Sequence, residues 1–190
     1  MERTRGVMGF LWIFLIVAGA GSVSAQQPLE PYIFEVGVYG DDARAVNCIT
    51  GLPGEFFEQT VWAWVPPELG LTYITLRFDF PANVDLHGRP VFNDLVTDVI
   101  YTNYGDGTVE WNMLLTDCPS GWVRIFTQQC ELLDADPSAI RILGDHSMVR
   151  DCTFVLNDIV VINELTVNDP ACATASVERA SWSRVKSLYR

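Results

Sequence analysis

Five cysteines, two histidines and 24 acidic side chains are the groups in this chain that could do chemistry. Cys48, Cys118, Cys130, Cys152 and Cys172 contain no C-x-x-C pair, and His87 and His146 stand far from one another, so a tetrahedral zinc site is not indicated. A nucleophilic cysteine needs a base beside it, and neither histidine stands in a motif that supplies one. Disulfides suit the five sulfurs better. Residues 121–129 read as one extended strand at about 3.3 Å per residue. That holds Cys118 and Cys130 farther apart than the roughly 7 Å a disulfide tolerates between Cα atoms. Cys152 and Cys172 flank an expected hairpin, 153–156 and 159–167 around Asn157-Asp158, and are the favoured pair. Cys48 would then join Cys118 or Cys130, leaving one thiol over.

The carboxylates offer two chemistries. A glycoside hydrolase needs one raised and one ordinary carboxyl across a cleft. Asp79, Asp98 and Glu110 lie in expected strands, yet with so many acids spacing alone selects none. Calcium is the other: Asp134 and Asp136 followed by Asp145 follow oxygen-donor spacing, but Ala139 stands where an EF-hand requires glycine and Pro137 interrupts the run. No cofactor is therefore expected, with calcium as the lesser alternative. There is no G-x-S-x-G, and in Asp145-His146-Ser147 neighbouring side chains on a strand would point to opposite faces. No glycine-rich phosphate loop occurs. One aromatic constellation remains: Trp62 and Trp64, at i and i+2, share a strand face, and Tyr73 from the next strand could extend the strip. Exposed, such a strip would stack on sugar rings or on a partner's side chains; buried, it would be core.

Period-two alternation supplies the elements that would hold these groups. Strands are expected at 32–39, 56–65, 71–80, 95–102, 108–115, 121–129, 139–143, 153–156 and 159–167. Tyr104-Gly105-Asp106-Gly107 forms a tight turn between the fourth and fifth. About nine short strands punctuated by Gly and Pro imply an all-β, antiparallel sandwich or barrel. Its core would come from Phe34, Val36, Val61, Ala63, Ile74, Leu76, Phe78, Val99, Trp111, Val123, Ile125, Ile140, Val155 and Val160. Residues 177–190 differ. Trp182, Val185, Leu188 and Tyr189 recur at helical spacing among cations, so Trp182, Arg184, Lys186, Leu188 and Tyr189 read as an amphipathic docking tail.

Charge and export bound the function. Arginines near the start, an apolar run over residues 7–19 and Val23-Ser24-Ala25 form the three-part pattern of a secretory signal peptide, 1–25, cleaved near Ala25. The apolar run falls short of the roughly 20 residues that span a bilayer, and no later segment approaches that length. The exported chain is then secreted, periplasmic or on the cell surface, a compartment where disulfides persist. Residues 26–176 form one domain, with the tail following. Six arginines against 22 acids over residues 26–177 give a charge of −16, which disfavours nucleic acid as a partner.

Gly37-Val38-Tyr39-Gly40-Asp41-Asp42, Asn47-Cys48, Asp151-Cys152, Ile162-Asn163 and the terminal residues 182–190 resemble small uncharacterised secreted β-sandwich proteins of environmental bacteria. The run from Val65 to Leu71, followed by Leu76-Arg77-Phe78-Asp79-Phe80, looks like a cohesin or carbohydrate-binding-module strand pair. The resemblance implies that the strands form an antiparallel immunoglobulin- or cohesin-like β-sandwich, and it supplies no catalytic residues. With the export pattern and the acidic surface, the chain reads as a non-catalytic structural or binding module whose partner is a protein or a polysaccharide. A carbohydrate-binding module using the aromatic strip, and a glycosidase using paired carboxylates, are the rival expectations.

Overall fold

A computed structural model describes residues 33–172; the expected signal peptide and the tail at 177–190 lie outside the described residues. Twelve strands form, in chain order Phe34–Tyr39 (β1), Cys48–Ile49 (β2), Phe56–Val65 (β3), Tyr73–Asp79 (β4), Val84–Phe92 (β5), Val96–Asn103 (β6), Thr108–Leu115 (β7), Gly121–Leu132 (β8), Ser138–Ile142 (β9), Met148–Arg150 (β10), Leu156–Asn163 (β11) and Leu165–Val167 (β12). The all-β expectation holds. β3 and β7 keep the expected bounds: β3, rich in aromatic and β-branched residues, stops at Pro66-Pro67, and β7 begins after Gly107 and buries every other residue.

One layer runs β5-β8-β3-β1, and the other runs β6-β7-β4 with β9 and β10 on the far side of β4. β11 joins them. Its first half pairs antiparallel with β10, Asn157 opposite Val149, and its second half pairs parallel with β1, Ile159 opposite Phe34. A strand that changes layers makes a corner of the sandwich. This parallel pairing, with that of β2 and β12, departs from the purely antiparallel expectation.

The layers close on aromatic side chains. Phe126 of β8 packs 5.0 Å from Trp111 of β7 and 5.8 Å from Phe78 of β4, ring centre to ring centre. In β4, Ile74, Leu76 and Phe78 face inward and are fully buried, the alternation read from the sequence. Eleven of the fourteen expected core residues are buried; Val99 is partly buried, and Val155 and Val160 are 53% and 48% exposed.

The last two departures share a cause. No hairpin turns at Asn157-Asp158; β11 runs straight through it, and the reversal comes earlier, at residues 151–155. There the buried Asp151 carboxylate accepts from the Thr153 N–H and hydroxyl, the Val155 N–H and the Asn157 amide at 2.7–3.1 Å. Val155 is thus a turn residue, and Val160 shares the outer face of β11 with Leu156 and Ile162.

β5, absent from the strands expected from alternation, reads VDLHGRPVF and contains Gly88 and Pro90. Pro90 cannot donate to a ladder and Gly88 sits at φ +75, features a sheet tolerates at an edge bulge. β5 is such an edge. The five residues from His87 to Val91 lie opposite only three of β8, Gln129 to Thr127.

The disulfides correct the pairing expected from the sequence. Cys152 does not meet Cys172; the bonds are Cys48–Cys172 and Cys118–Cys152, with Cα separations of 5.4 and 6.0 Å. β12 lies parallel beside β2 with Thr166 opposite Cys48, which carries the following Cys172 to Cys48. The pairing of β10 with β4 and of β4 with β7 places Cys152 beside the loop that holds Cys118. Cys130 remains free and buried.

Candidate functional site

Every other residue of β4 and β7 points away from the core, and their register decides which outward groups meet. Tyr73, Thr75 and Arg77 lie opposite Leu114, Asn112 and Glu110. The Tyr73 hydroxyl donates to Asn112 Oδ1 at 2.6 Å, and the Thr75 hydroxyl donates to the same oxygen at 2.8 Å. Asn112 Nδ2 donates to Glu110 Oε1 at 2.8 Å, and the Tyr104 hydroxyl to Glu110 Oε2 at 3.1 Å. That hydrogen bond raises the Tyr104 phenol above its ordinary pKa. Arginines close both ends: Arg77 lies 4.1 Å over the Tyr104 ring and donates to the Thr108 hydroxyl, and Arg150 lies 5.6 Å over Tyr73. The result is a continuous polar spine across the sheet, each member fixed by its neighbour.

Large apolar side chains flank the spine on the same face. Ile100 of β6, opposite Asn112, is 62% exposed, and Leu156 of β11, opposite Arg150, is 55% exposed. Leu114 and Met148 are also exposed. Polar groups that hold each other in place are thus bordered on this face by unburied aliphatic side chains, an exposed apolar patch of the kind that marks an interaction site.

The aromatic strip takes a different form from the expected one. Trp62 and Trp64 do share the outer face of β3, but Tyr73 belongs to the opposite layer and does not join them. Trp64 instead pairs with Trp122 of β8, ring centres 5.6 Å apart. Arg44, a residue with no sequence signal, lays its guanidinium 5.0 Å from the Trp62 ring and 4.2 Å from the Trp122 ring. Both β3 indoles are half-buried, so the bare stacking strip is not what folds here; cation–π contacts occupy part of it. The loop that carries Arg44 also pairs Asp42 with Arg124 at 3.4 Å.

The carboxylates that offered calcium as the lesser alternative do not gather. Asp134 Oδ1 caps the Asp136 N–H at 2.9 Å, and Asp145 lies 3.5 Å from His146 on a short 3-10 turn. Among the described residues, no three or more His, Cys, Asp or Glu side chains gather as a metal site. Asp79, Asp98 and Glu110 all lie on the outer sheet face, Glu110 committed to Asn112 and Tyr104. The cleft at Asp42, Trp62 and Arg124, the cleft at Phe92 and Tyr101 and the cleft at Arg141 and Glu164 each hold no more than one carboxylate.

No protein-family model and no curated protein sequence matches the chain. Solved structures do. A cohesin module from a Clostridium perfringens family 33 glycoside hydrolase aligns over 72% of this chain and 98% of its own, at 11% identity and a TM-score of 0.59. The type I cohesin–dockerin complex of Clostridium thermocellum aligns over 72% of this chain and 92% of the other, at 14% identity and 0.57. A non-cellulosomal cohesin from Archaeoglobus fulgidus covers 76% and 97%, at 11% identity and 0.55. The chain has a cohesin-like β-sandwich fold.

Proposed function

We propose that this chain is an exported, non-catalytic binding module that holds a protein partner on the outer face of β6, β7, β4 and β10. The observation that carries the reading is the spine Tyr73–Asn112–Glu110–Tyr104, locked by hydrogen bonds and bordered by Ile100, Leu114, Met148 and Leu156. A preorganised polar centre with apolar shoulders loses little side-chain entropy on association. Two similar structures are described as cohesin–dockerin complexes, which supports a protein rather than a sugar as the partner. Export is supported by the residue 1–25 pattern and by two disulfides, which persist in oxidising compartments; a place in the cell envelope or outside it follows from the same reading.

The test compares face variants for capture of a partner from the source organism's envelope and culture fluid. Ile100→Arg with Leu114→Arg abolishes capture of a given protein, whereas Trp122→Ala leaves it intact. Loss on Trp122→Ala alone, or retention of polysaccharide alone, transfers the binding role to the tryptophan face.

A further inference from the structure

The sandwich is open along one long side, where β5 ends one layer and β6 ends the other. Between these two edges lies a cleft of about 630 Å³, well within the range of small-molecule sites. It is separate from both outer faces described above. We infer that this cleft binds a small planar aromatic acid carrying an N–H or O–H donor.

The walls explain the aromatic ring. Phe92 of β5 closes one side and packs edge-to-face against Phe126 of the core, ring centres 5.7 Å apart. Tyr101 and Val99 of β6 form the other side. Both point inward, opposite Trp111 and Met113, but no strand lies beyond β6 to cover them. Tyr101 therefore stays 48% exposed although it faces the interior, with its ring 5.5 Å from that of Trp111. An inward aromatic left half-bare at an open edge offers a stacking surface.

The floor explains the donor. Gln128 is 1% exposed and lines the cleft. Burying an amide among apolar groups costs free energy unless its hydrogen bonds are made. Gln128 Nε2 donates to His87 O and Gln129 O, both at 2.8 Å. Those bonds patch the ladder where β5 bulges away from β8, and they leave the side-chain oxygen to accept from a ligand. Gln59 lies directly opposite Gln128 in the β3–β8 register, fully buried, and neither of its amide atoms has a partner among the described residues. Two adjacent core amides with spare capacity are costly unless the site uses them.

The rim explains the acid. The β5 bulge lifts Gly88, Arg89 and Pro90 over the cleft mouth. Six arginines lie among the described residues. Arg44 and Arg150 cover aromatic rings, Arg77 holds Thr108, and Arg124 and Arg141 pair with carboxylates. Arg89 alone makes no ion pair, hydrogen bond or ring contact there. In a domain this acidic, a cation left unpaired beside an aromatic cleft matches the carboxylate of a ligand. Bulges recur beside binding sites because they re-aim side chains, and this one brings Arg89 to the mouth and fixes Gln128 at the floor.

Indole-3-acetate carries the ring, the N–H and the carboxylate, and indole lacks only the acid arm. Each is titrated into ¹⁵N-labelled protein secreted by an expression host, and amide shifts are followed. Saturable shifts at Gly88, Arg89, Tyr101 and Gln128, with a Kd of about 1 mM or tighter for indole-3-acetate, are the expected result. Arg89→Gln weakens indole-3-acetate about tenfold and leaves indole unchanged. Val99→Trp, which fills the cleft, removes binding of both. The proposal is overturned by no saturation at these amides up to about 10 mM, by saturable shifts confined to the tryptophan face, or by an Arg89→Gln variant that binds indole-3-acetate as well as the parent does. Should Val99→Trp fail to fold, the Arg89→Gln comparison decides alone.

Discussion

The Tyr73 hydroxyl donates to Asn112 Oδ1 across 2.6 Å, tying β4 to β7 on the face that carries the binding reading. The bond is part-buried and its acceptor is shared with Thr75, so removing either end leaves the others short of a partner. Tyr73→Phe and Asn112→Ala should each lower stability by about 0.5–1.5 kcal/mol. Because they delete one interaction, the double variant should cost less than the sum of the singles. Urea unfolding of the four proteins checks this; strict additivity would mean that the hydroxyl and the amide act independently.

Acid should loosen the turn before β11. Burial by itself would raise the Asp151 carboxyl, but the hydrogen bonds from Thr153, Val155 and Asn157 outweigh it and hold the pKa below the usual aspartate value. A carboxyl depressed in the folded state stabilises it above the unfolded pKa, and that contribution disappears as pH falls through the folded pKa. Stability should therefore drop below about pH 4 more steeply in the parent than in Asp151→Asn, which has no charge to lose. At neutral pH the same variant should be less stable than the parent by about 1–3 kcal/mol. Thermal melts at pH 7 and pH 3 measure both.

The sulfurs give a countable outcome. Two disulfides consume four cysteines, and burial, with a smaller contribution from Asp85, pushes the Cys130 thiol up to about 12. A thiol reagent reacts through the thiolate, so native protein at pH 8 should titrate no sulfur, unfolded protein one, and reduced unfolded protein all five. Mass mapping without reductant should join Cys48 to Cys172 and Cys118 to Cys152. A peptide holding Cys152 bonded to Cys172 would contradict the arrangement of β2 beside β12.

How far each feature can be read from the amino-acid sequence depends on how local its signal is. The strand β3 and the buried face of β4 were legible because alternation is a property of adjacent residues. Cys48–Cys172 was not, because its two cysteines, 124 residues apart in sequence, meet only after β12 has crossed to lie beside β2. β5 hid behind Gly88 and Pro90, whose usual meaning as loop residues gives way at an edge bulge. The outer face of β4 and β7 was half legible: the sequence puts Tyr73, Thr75 and Arg77 on one side of a strand, but their meeting with Asn112 and Glu110 depends on a register that no single strand encodes. Arg44 over Trp62 and Trp122 had no sequence signal at all, since a loop arginine carries no periodicity.

Gly70 links backbone geometry to the Cys118–Cys152 bond. It sits at φ +64, where a side chain is strained, and a Cβ there would stand 2.8 Å from Cys152 Sγ and 3.0 Å from Cys118 O. Gly70→Ala should thus meet two separate penalties, the left-handed backbone and the collision with the disulfide, and lose about 2–4 kcal/mol. Replacing both cysteines by Ala removes the sulfur but not the backbone strain. Gly70→Ala should therefore cost less in the Cys118→Ala/Cys152→Ala background than in the parent, while still costing about 1 kcal/mol. Chemical unfolding of the four proteins separates the two: an equal cost in both backgrounds assigns the requirement for glycine to the backbone, its φ and the nearby Cys118 carbonyl, and no residual cost assigns it to the sulfur alone.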